Sequence, residues 1–451
     1  MLTKQPWMKG LWDLSIEAIQ ANEEGKDLRD VRKELDVLLA DPRNPALYAA
    51  ADALYQRIQQ LDTREDYHFE EPDTLEAIRS ARGPAPVLPG VTLSTLQLEQ
   101  RLLGAWLGRT VGCLFGQPVE GWRRQRIVGF LRDTDNLPVR HYMSSQVPPE
   151  IRKRYQIADS PGPYGSKHVN WINHVSGMPE DDDITYTVLA LKILETYGWD
   201  FRPEDVAEEW LQSLPLLRTC TAERVAYLNL SQLILPPRSA THSNPYREWI
   251  GAQIRADFYG YINPGDPQTA AEMAFRDASI SHVKNGIYGA MLVAAMIAAA
   301  FVTDDPDTIV CSGMAQIPKG SRLYYALSEM VENWRQGTSL EHFQDAFYKR
   351  FDESSPHDWC HTIPNAMVVV AGVLYHEMDY VTSMAFGTLS GFDTDCNSAT
   401  IGSIIGAARG HEIIPAAWAE PLSNTLRTSV AGYGHISITE AAARTLALVR
   451  K

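Results

Sequence analysis

The sequence predicts an all-α fold, a compact multi-helix domain preceded by an N-terminal helical extension. Three observations point to it: apolar residues recur at helical spacing along most of the chain, alternating β-branched stretches are few, and two series of small residues repeat every three or four positions. At 451 residues the chain is long enough to bury a sizeable core.

In order, Leu11, Leu14, Ile16 and Ile19 predict a first helix and 28–39 a second. Pro45 opens a third that runs through Leu47, Ala51, Leu54, Ile58 and Leu61. The stretch 62–90 is charged and then Pro/Gly-rich, which predicts a linker with one short helix. The domains are therefore drawn as 1–90, extension and linker, and 91–451, the main domain. Within the latter, periodicity predicts helices at 96–114, 184–197, 203–214, 267–278, 285–302, 323–336, 339–351, 363–377, 381–389, 398–410 and 439–449. The connections 122–179 and 236–264 read as long loops of the kind that carry function.

Composition narrows the function. There are 41 Lys+Arg against 56 Asp+Glu, a net charge of −15, which argues against a nucleic-acid backbone or an anionic membrane as partner. A small ligand or a modified protein fits better. Five scattered cysteines without a C-x-x-C pair suit a reducing compartment. The first thirty residues carry acidic groups and no continuous apolar run, so a cytoplasmic location is expected. The longest apolar run, 286–302, falls short of the ~20 residues of a bilayer span and reads as a central buried helix.

Three stretches carry chemistry. In Gly391-Phe392-Asp393-Thr394-Asp395-Cys396-Asn397, two carboxylates and a hydroxyl share a tight turn, followed by small residues at Ala399, Gly402, Ser403, Gly406 and Ala407. Oxygen ligands of this type suit a hard cation, although a single Asp there would serve as a helix cap. At Glu180-Asp181-Asp182-Asp183, four carboxylates precede a helix; a cap needs fewer, and shared divalent cations relieve their repulsion. Finally, glycines at 104, 108, 112 and 116 place a stripe on one helix face and predict close helix packing, with Glu120 at the helix exit.

Taken together, G-A-x-L-G-x-x-x-G-x-x-x-G-x-P-V-E, the Asp-Asp pair opening a helix and G-x-D-T-D-x-x-x-A-x-x-G-x-x-x-G-A resemble the ADP-ribosylglycohydrolase family from about residue 96 to 450. The resemblance implies an all-α hydrolase with two Mg²⁺ (or Mn²⁺) ions, acting at the anomeric carbon of an ADP-ribosylated protein or a small ribosyl conjugate. It places the metal ligands at Glu120, Asp181, Asp182, Asp183, Asp393, Asp395 and Cys396. Independently of the resemblance, a carboxylate such as Glu120 or Asp182 is the expected catalytic group, taking the water's proton or steadying the developing oxocarbenium charge. Asp181 stands where the family has Thr, and Cys396 is a thiol where the family has a hydroxyl; a thiol suits a softer ion than Mg²⁺. His282 resembles a family position that reaches the substrate phosphates, against the structural role that a lone His more often has. Trp359 and His361, in a polar and aromatic loop at 359–365, read as a substrate wall or, nearly as well, as a capping loop, and Asn397 is a further expected substrate contact. The glycine-rich substrate loop falls on 244–255, with Ile250 where many members carry Asn. Two other readings stand beside this one. A prenyl-diphosphate enzyme is disfavoured, since no later carboxylate follows Asp183 in register. A catalytically inactive member, serving as an ADP-ribose-binding or structural module, would have little use for so many clustered carboxylates. The oligomeric state is not encoded in any of these features.

Overall fold

The computed structural model describes residues 6, 7, 13–41, 44–90, 92–159 and 170–450. These form twenty-four α-helices and a single two-stranded antiparallel ribbon that pairs Thr425–Arg427 with His435–Ser437. The fold is all-α.

The extension holds α1 (Asp13–Glu23), α2 (Arg32–Leu39) and α3 (Tyr48–Gln59). Leu14, Ala21, Leu35, Leu38, Leu54 and Ile58 make a small core of their own. Leu11 lies outside the described residues, Leu14 and Ile16 are buried, and Ile19 stays exposed. After α4 (Leu75–Ala81), the main body begins with α5 (Thr95–Gly116), opened by a Ser94/Gln97 capping box. It continues through α6 (Arg124–Asp133), α7 (Pro149–Arg154), α8 (Asp182–Tyr197), α9 (Pro203–Ser213), α10 (Thr221–Ser231) and α11 (Arg238–Thr241). Next come α12 (Gly251–Arg255), α13 (Asp257–Tyr261), α14 (Pro267–Ala278), α15 (Lys284–Ala300), α16 (Pro306–Met314), α17 (Arg322–Arg335) and α18 (Leu340–Arg350). The last are α19 (Pro356–Cys360), α20 (Thr362–Leu374), α21 (Tyr380–Leu389), α22 (Thr394–Arg409), α23 (Ala416–Ala419) and α24 (Ile438–Leu448).

Every predicted helix of the main body is present, with ends shifted by a few residues. Two predicted loops are more helical than the sequence suggested: 122–179 contains α6 and α7, and 236–264 contains α11, α12 and α13. Helices α10, α16, α19 and α23 fall outside every predicted helix. α15 is the central helix, buried from Asn285 to Ala300. Among the described residues no helix is long and apolar enough to cross a membrane.

The organising contact is between α5 and α22. The two glycine stripes face each other antiparallel, Gly104 on Gly406, Gly108 on Gly402 and Gly112 on Ser398, so backbone meets backbone with no space for a Cβ. Gly116 in turn rests on Asp395. The close approach carries the exit of α5 up to the acidic turn before α22. Gly391 and Phe392 both hold positive φ in that turn, which reverses the chain so that Asp393 and Asp395 enter the helix facing α8.

The extension is fastened to the main body by buried charge. Arg247 pairs with Glu17 at 2.5 Å and with Glu24 at 2.7 Å, and Tyr246 donates to Asp13 at 2.6 Å. Further along, Arg322 pairs with Glu71 at 2.9 Å and with Glu248 at 2.7 Å. All four of these carboxylates in the Arg247 and Arg322 groups are buried, so each needs its guanidinium partner.

Candidate metal centre

The exit of α5, the first turn of α8, α10, α12, α19 and the first turn of α22 surround a cleft with a cavity of about 110 Å³. Glu120, Asp181, Asp182, Asp183, Asp393, Asp395 and Trp359 line it, so the predicted acidic positions meet in space. Ile250, Gly251 and Ile254 form part of another wall. A side chain at Gly251 would overlap the Glu223 carboxylate, which accounts for glycine there.

The acidic side chains divide by how far the protein already satisfies them. Asp181 caps α8, accepting from the Asp183 N–H at 2.9 Å, from Gln117 Nε2 at 2.6 Å and from Cys113 Sγ at 3.4 Å. Asp183 is paired with buried Arg109 at 3.1 Å, whose other arm reaches Asp257 at 2.8 Å. Asp395, by contrast, is 3 % exposed and its Oδ1 has no hydrogen-bond partner. At the start of α22, the Asn365 side chain accepts from the Asp393 N–H at 3.2 Å and from Asn397 Nδ2 at 2.8 Å. Asn365 in turn donates to the carbonyls of Trp359 at 3.0 Å and His361 at 2.9 Å, linking the α19 wall to the acidic turn.

Electrostatics follow from this crowding. Burial pushes the Asp182 carboxyl up to about 7, reinforced by Asp181 and Glu223 beside it. Asp393 and Asp395 are raised well above the usual carboxylate range by burial and by their acidic neighbours, Asp183 for the first and Asp181 for the second. Glu120 is raised by burial and then by Asp395 and Asp181. Such a set is costly to ionise without a cation.

The residues present fit a divalent metal. Ligand atoms of Cys113, Asp181, Asp183 and Asp395 lie within 4.8 Å of one another, and the orphaned Asp395 oxygen supplies a donor that nothing in the protein uses. A second group, Glu23, His357 and His361, is equally tight but does not fit. Nδ1 of His357 accepts from Trp249 Nε1–H and Nδ1 of His361 accepts from the Ile363 N–H, both at 3.2 Å. Each ring therefore carries its hydrogen on Nε2, facing Glu23, and offers no lone pair there.

Four sequence-predicted site residues lie away from the cavity surface. Cys396 is fully buried beneath the turn, and it is Cys113 that joins the carboxylates. Asn397 is buried against Asn365. His361 is the N-cap of α20 and adjoins Glu248 at 3.5 Å and Glu23 at 3.7 Å. His282 is fully buried, its Nδ1 at 2.8 Å from the Ser281 hydroxyl, and burial followed by the nearby Arg255 guanidinium holds the ring neutral. Sequence reasoning passed over Arg109, Cys113, Gln117, Glu223 and Trp7. Arg109 did carry a signal: a guanidinium on a glycine-striped, buried helix requires carboxylate partners.

The sequence matches the ADP-ribosylglycohydrolase family profile over residues 94–450. The chain belongs to the ADP-ribosylglycohydrolase family. A solved structure titled "ADP-ribosylglycohydrolase-related protein complex" is similar to this ADP-ribosylglycohydrolase-family chain at 20 % identity. The alignment covers 79 % of this chain and 99 % of that one, with a TM-score of 0.48. No curated protein matches the sequence. The acidic turns, the glycine stripes and Glu120 all fall inside the matched segment, and α1 to α4 precede it.

Proposed function

We propose that this family member is a metal-dependent hydrolase that cleaves the bond at the anomeric carbon of an ADP-ribosyl or related ribosyl conjugate. The observation that carries the reading is the meeting of the α8 and α22 acidic turns with Glu120 around one cleft, with a buried Asp395 oxygen left unpartnered. Asp181, Asp183 and Asp395, whose ligand atoms already lie within 4.8 Å of one another, would hold Mg²⁺ or Mn²⁺ together with Asp182, Asp393 and Glu120, which line the same cleft. Bound there, two such ions would supply positive charge for the ribose hydroxyls and acidify a water.

The chain's own residues perform the remaining steps. Asp182 lines the cleft, where its carboxylate is placed to receive a proton from the attacking water. Glu120 faces the same space, and as a carboxylate it would steady the positive charge that develops at the anomeric carbon. Arg109 and Gln117 hold Asp183 and Asp181 in place from behind. Trp359, Ile250 and Ile254 provide apolar walls that limit the water around the reacting atoms.

A hydrolysis screen tests the proposal. ADP-ribosyl-arginine, ADP-ribosyl-serine and simpler N-ribosides are incubated with the protein and Mg²⁺ or Mn²⁺, with chelator controls. Release of the free ribosyl product from at least one, abolished by chelator and by Asp395→Asn, is expected. Metal binding without turnover of any conjugate would refute the hydrolase reading.

A further inference from the structure

Trp7, which precedes α1 and lies outside the segment matched by the family, lines the same cleft as Glu120, Asp182 and Asp395. Arg224 on α10 positions it. The Arg224 Nη1 donates to the Pro6 carbonyl at 2.9 Å, and its guanidinium carbon lies 5.2 Å from the Trp7 ring centroid. Arg224 is itself fixed by carbonyls of the preceding loop, Leu217 at 3.2 Å among them. Its neighbours Thr221 and Glu223 line the cleft directly.

The extension also supports a second wall. Glu23, at the end of α1, adjoins His357 Nε2 on α19 at 3.2 Å, and α19 presents Trp359 and Cys360 to the cleft. Ile16 on α1 packs with Val225 of α10 and with Trp249, and Trp249 donates to His357. One helix of the extension therefore bears on both α10 and α19. The buried Arg247 pairs with Glu17 and Glu24 keep that helix in place.

We propose that the extension is an integral wall of the catalytic cleft and that Trp7 is a substrate-contacting, specificity-determining residue. Its indole offers an apolar face to the bound ribosyl conjugate and shields the acidic floor from water. The proposal rests on the hydrolase reading for the identity of the ligand, but the wall itself can be tested without one.

Cys220 and Cys360 also line the cleft and report on its closure. In the full-length, metal-free protein, N-ethylmaleimide labelling of these two thiols is followed by mass spectrometry. Trp7→Ala is expected to accelerate labelling about fivefold or more, and Trp7→Phe to restore a rate close to wild type. In a second arm, ADP-ribose is titrated calorimetrically in the presence of Mn²⁺. Trp7→Ala is expected to weaken binding about tenfold with Mn²⁺ affinity unchanged, and Trp7→Phe to recover most of the loss. Labelling rates that do not respond to Trp7→Ala overturn the wall. Where wild type binds ADP-ribose, an unchanged affinity in Trp7→Ala overturns the substrate contact. Failure of wild type to bind ADP-ribose with Mn²⁺ present counts against the hydrolase reading and against the contact, while the labelling rates still decide the wall.

Discussion

Substituting Gly402 by alanine tests whether the α5–α22 contact builds the site. A Cβ at Gly402 would stand 2.8 Å from the Gly108 carbonyl carbon and closer still to its oxygen. Ordinary carbon–carbon contact is about 3.5–4.0 Å, so the helices must separate by roughly 0.7 Å or more. The obstacle is helix backbone and cannot rotate aside as a side chain would. The cost should therefore reach or exceed the upper end of the overpacking range, about 3 kcal/mol. For a domain of this size that corresponds to a fall of about 3–4 °C in melting temperature. The same displacement separates Asp395 on α22 from Cys113 on α5 and from Gln117, which orients Asp181, whose ligand atoms cluster within 4.8 Å. Metal affinity should therefore drop about tenfold or more, because a misplaced donor loses coordination geometry. Gly90→Ala is the control, since a Cβ there meets nothing within 4 Å. Melting curves with and without Mn²⁺, together with calorimetric Mn²⁺ titrations, are the assays. A Gly402→Ala protein with wild-type melting temperature and metal affinity would refute the argument that glycine-to-glycine packing sets the site geometry.

Two further predictions concern charge. The Asp182 carboxyl is raised to about 7, and Asp393 and Asp395 are raised well above the ordinary range. At these three carboxyls the folded metal-free protein thus binds more protons than the unfolded chain between the ordinary carboxylate pKa of about 4 and the raised values, outweighing the opposite contribution of the neutral buried His282. Stability then falls as pH rises through that window. The melting temperature of chelated protein should decline between about pH 5 and pH 8, and saturating Mn²⁺ should remove the decline, because cation charge opposes the repulsion. A metal-free melting temperature flat across that range would contradict this. Arg247→Ala leaves Glu17 and Glu24 buried without their guanidinium and should cost about 3–5 kcal/mol. Hydrogen exchange should show α1 losing protection before the α5–α22 core; uniform protection would show that the pair does not anchor the extension.

How much of this was legible in the sequence depends on how local each signal was. The glycine series on α5 and the small residues on α22 are each visible as one helix face, and the structure joins them. Asp393 with Asp395, and Asp181 to Asp183, announce themselves by adjacency within one turn. By contrast, α12 and α13 span five residues each, too short for a 3.6-residue period to emerge. Helix α10 begins without a side-chain cap, so its polar, mixed sequence gave no start signal. Arg109, Glu223 and Trp7 acquire their place from partners far along the chain, Asp257, Arg255 and Arg224. Cys396 and Cys113 show the same limit. Motif position drew attention to the thiol at 396, whereas packing turns the thiol at 113 toward the carboxylates.

The proposed chemistry requires a divalent cation in the acidic cleft, and a calorimetric Mn²⁺ titration of wild type and Asp395→Asn tests that most directly. Wild type should bind with proton release at pH 6, since raised carboxyls must ionise to ligate, and Asp395→Asn should bind about a hundredfold more weakly. Wild-type protein that takes up no Mn²⁺ or Mg²⁺, or Asp395→Asn protein that binds as tightly as wild type, would contradict it.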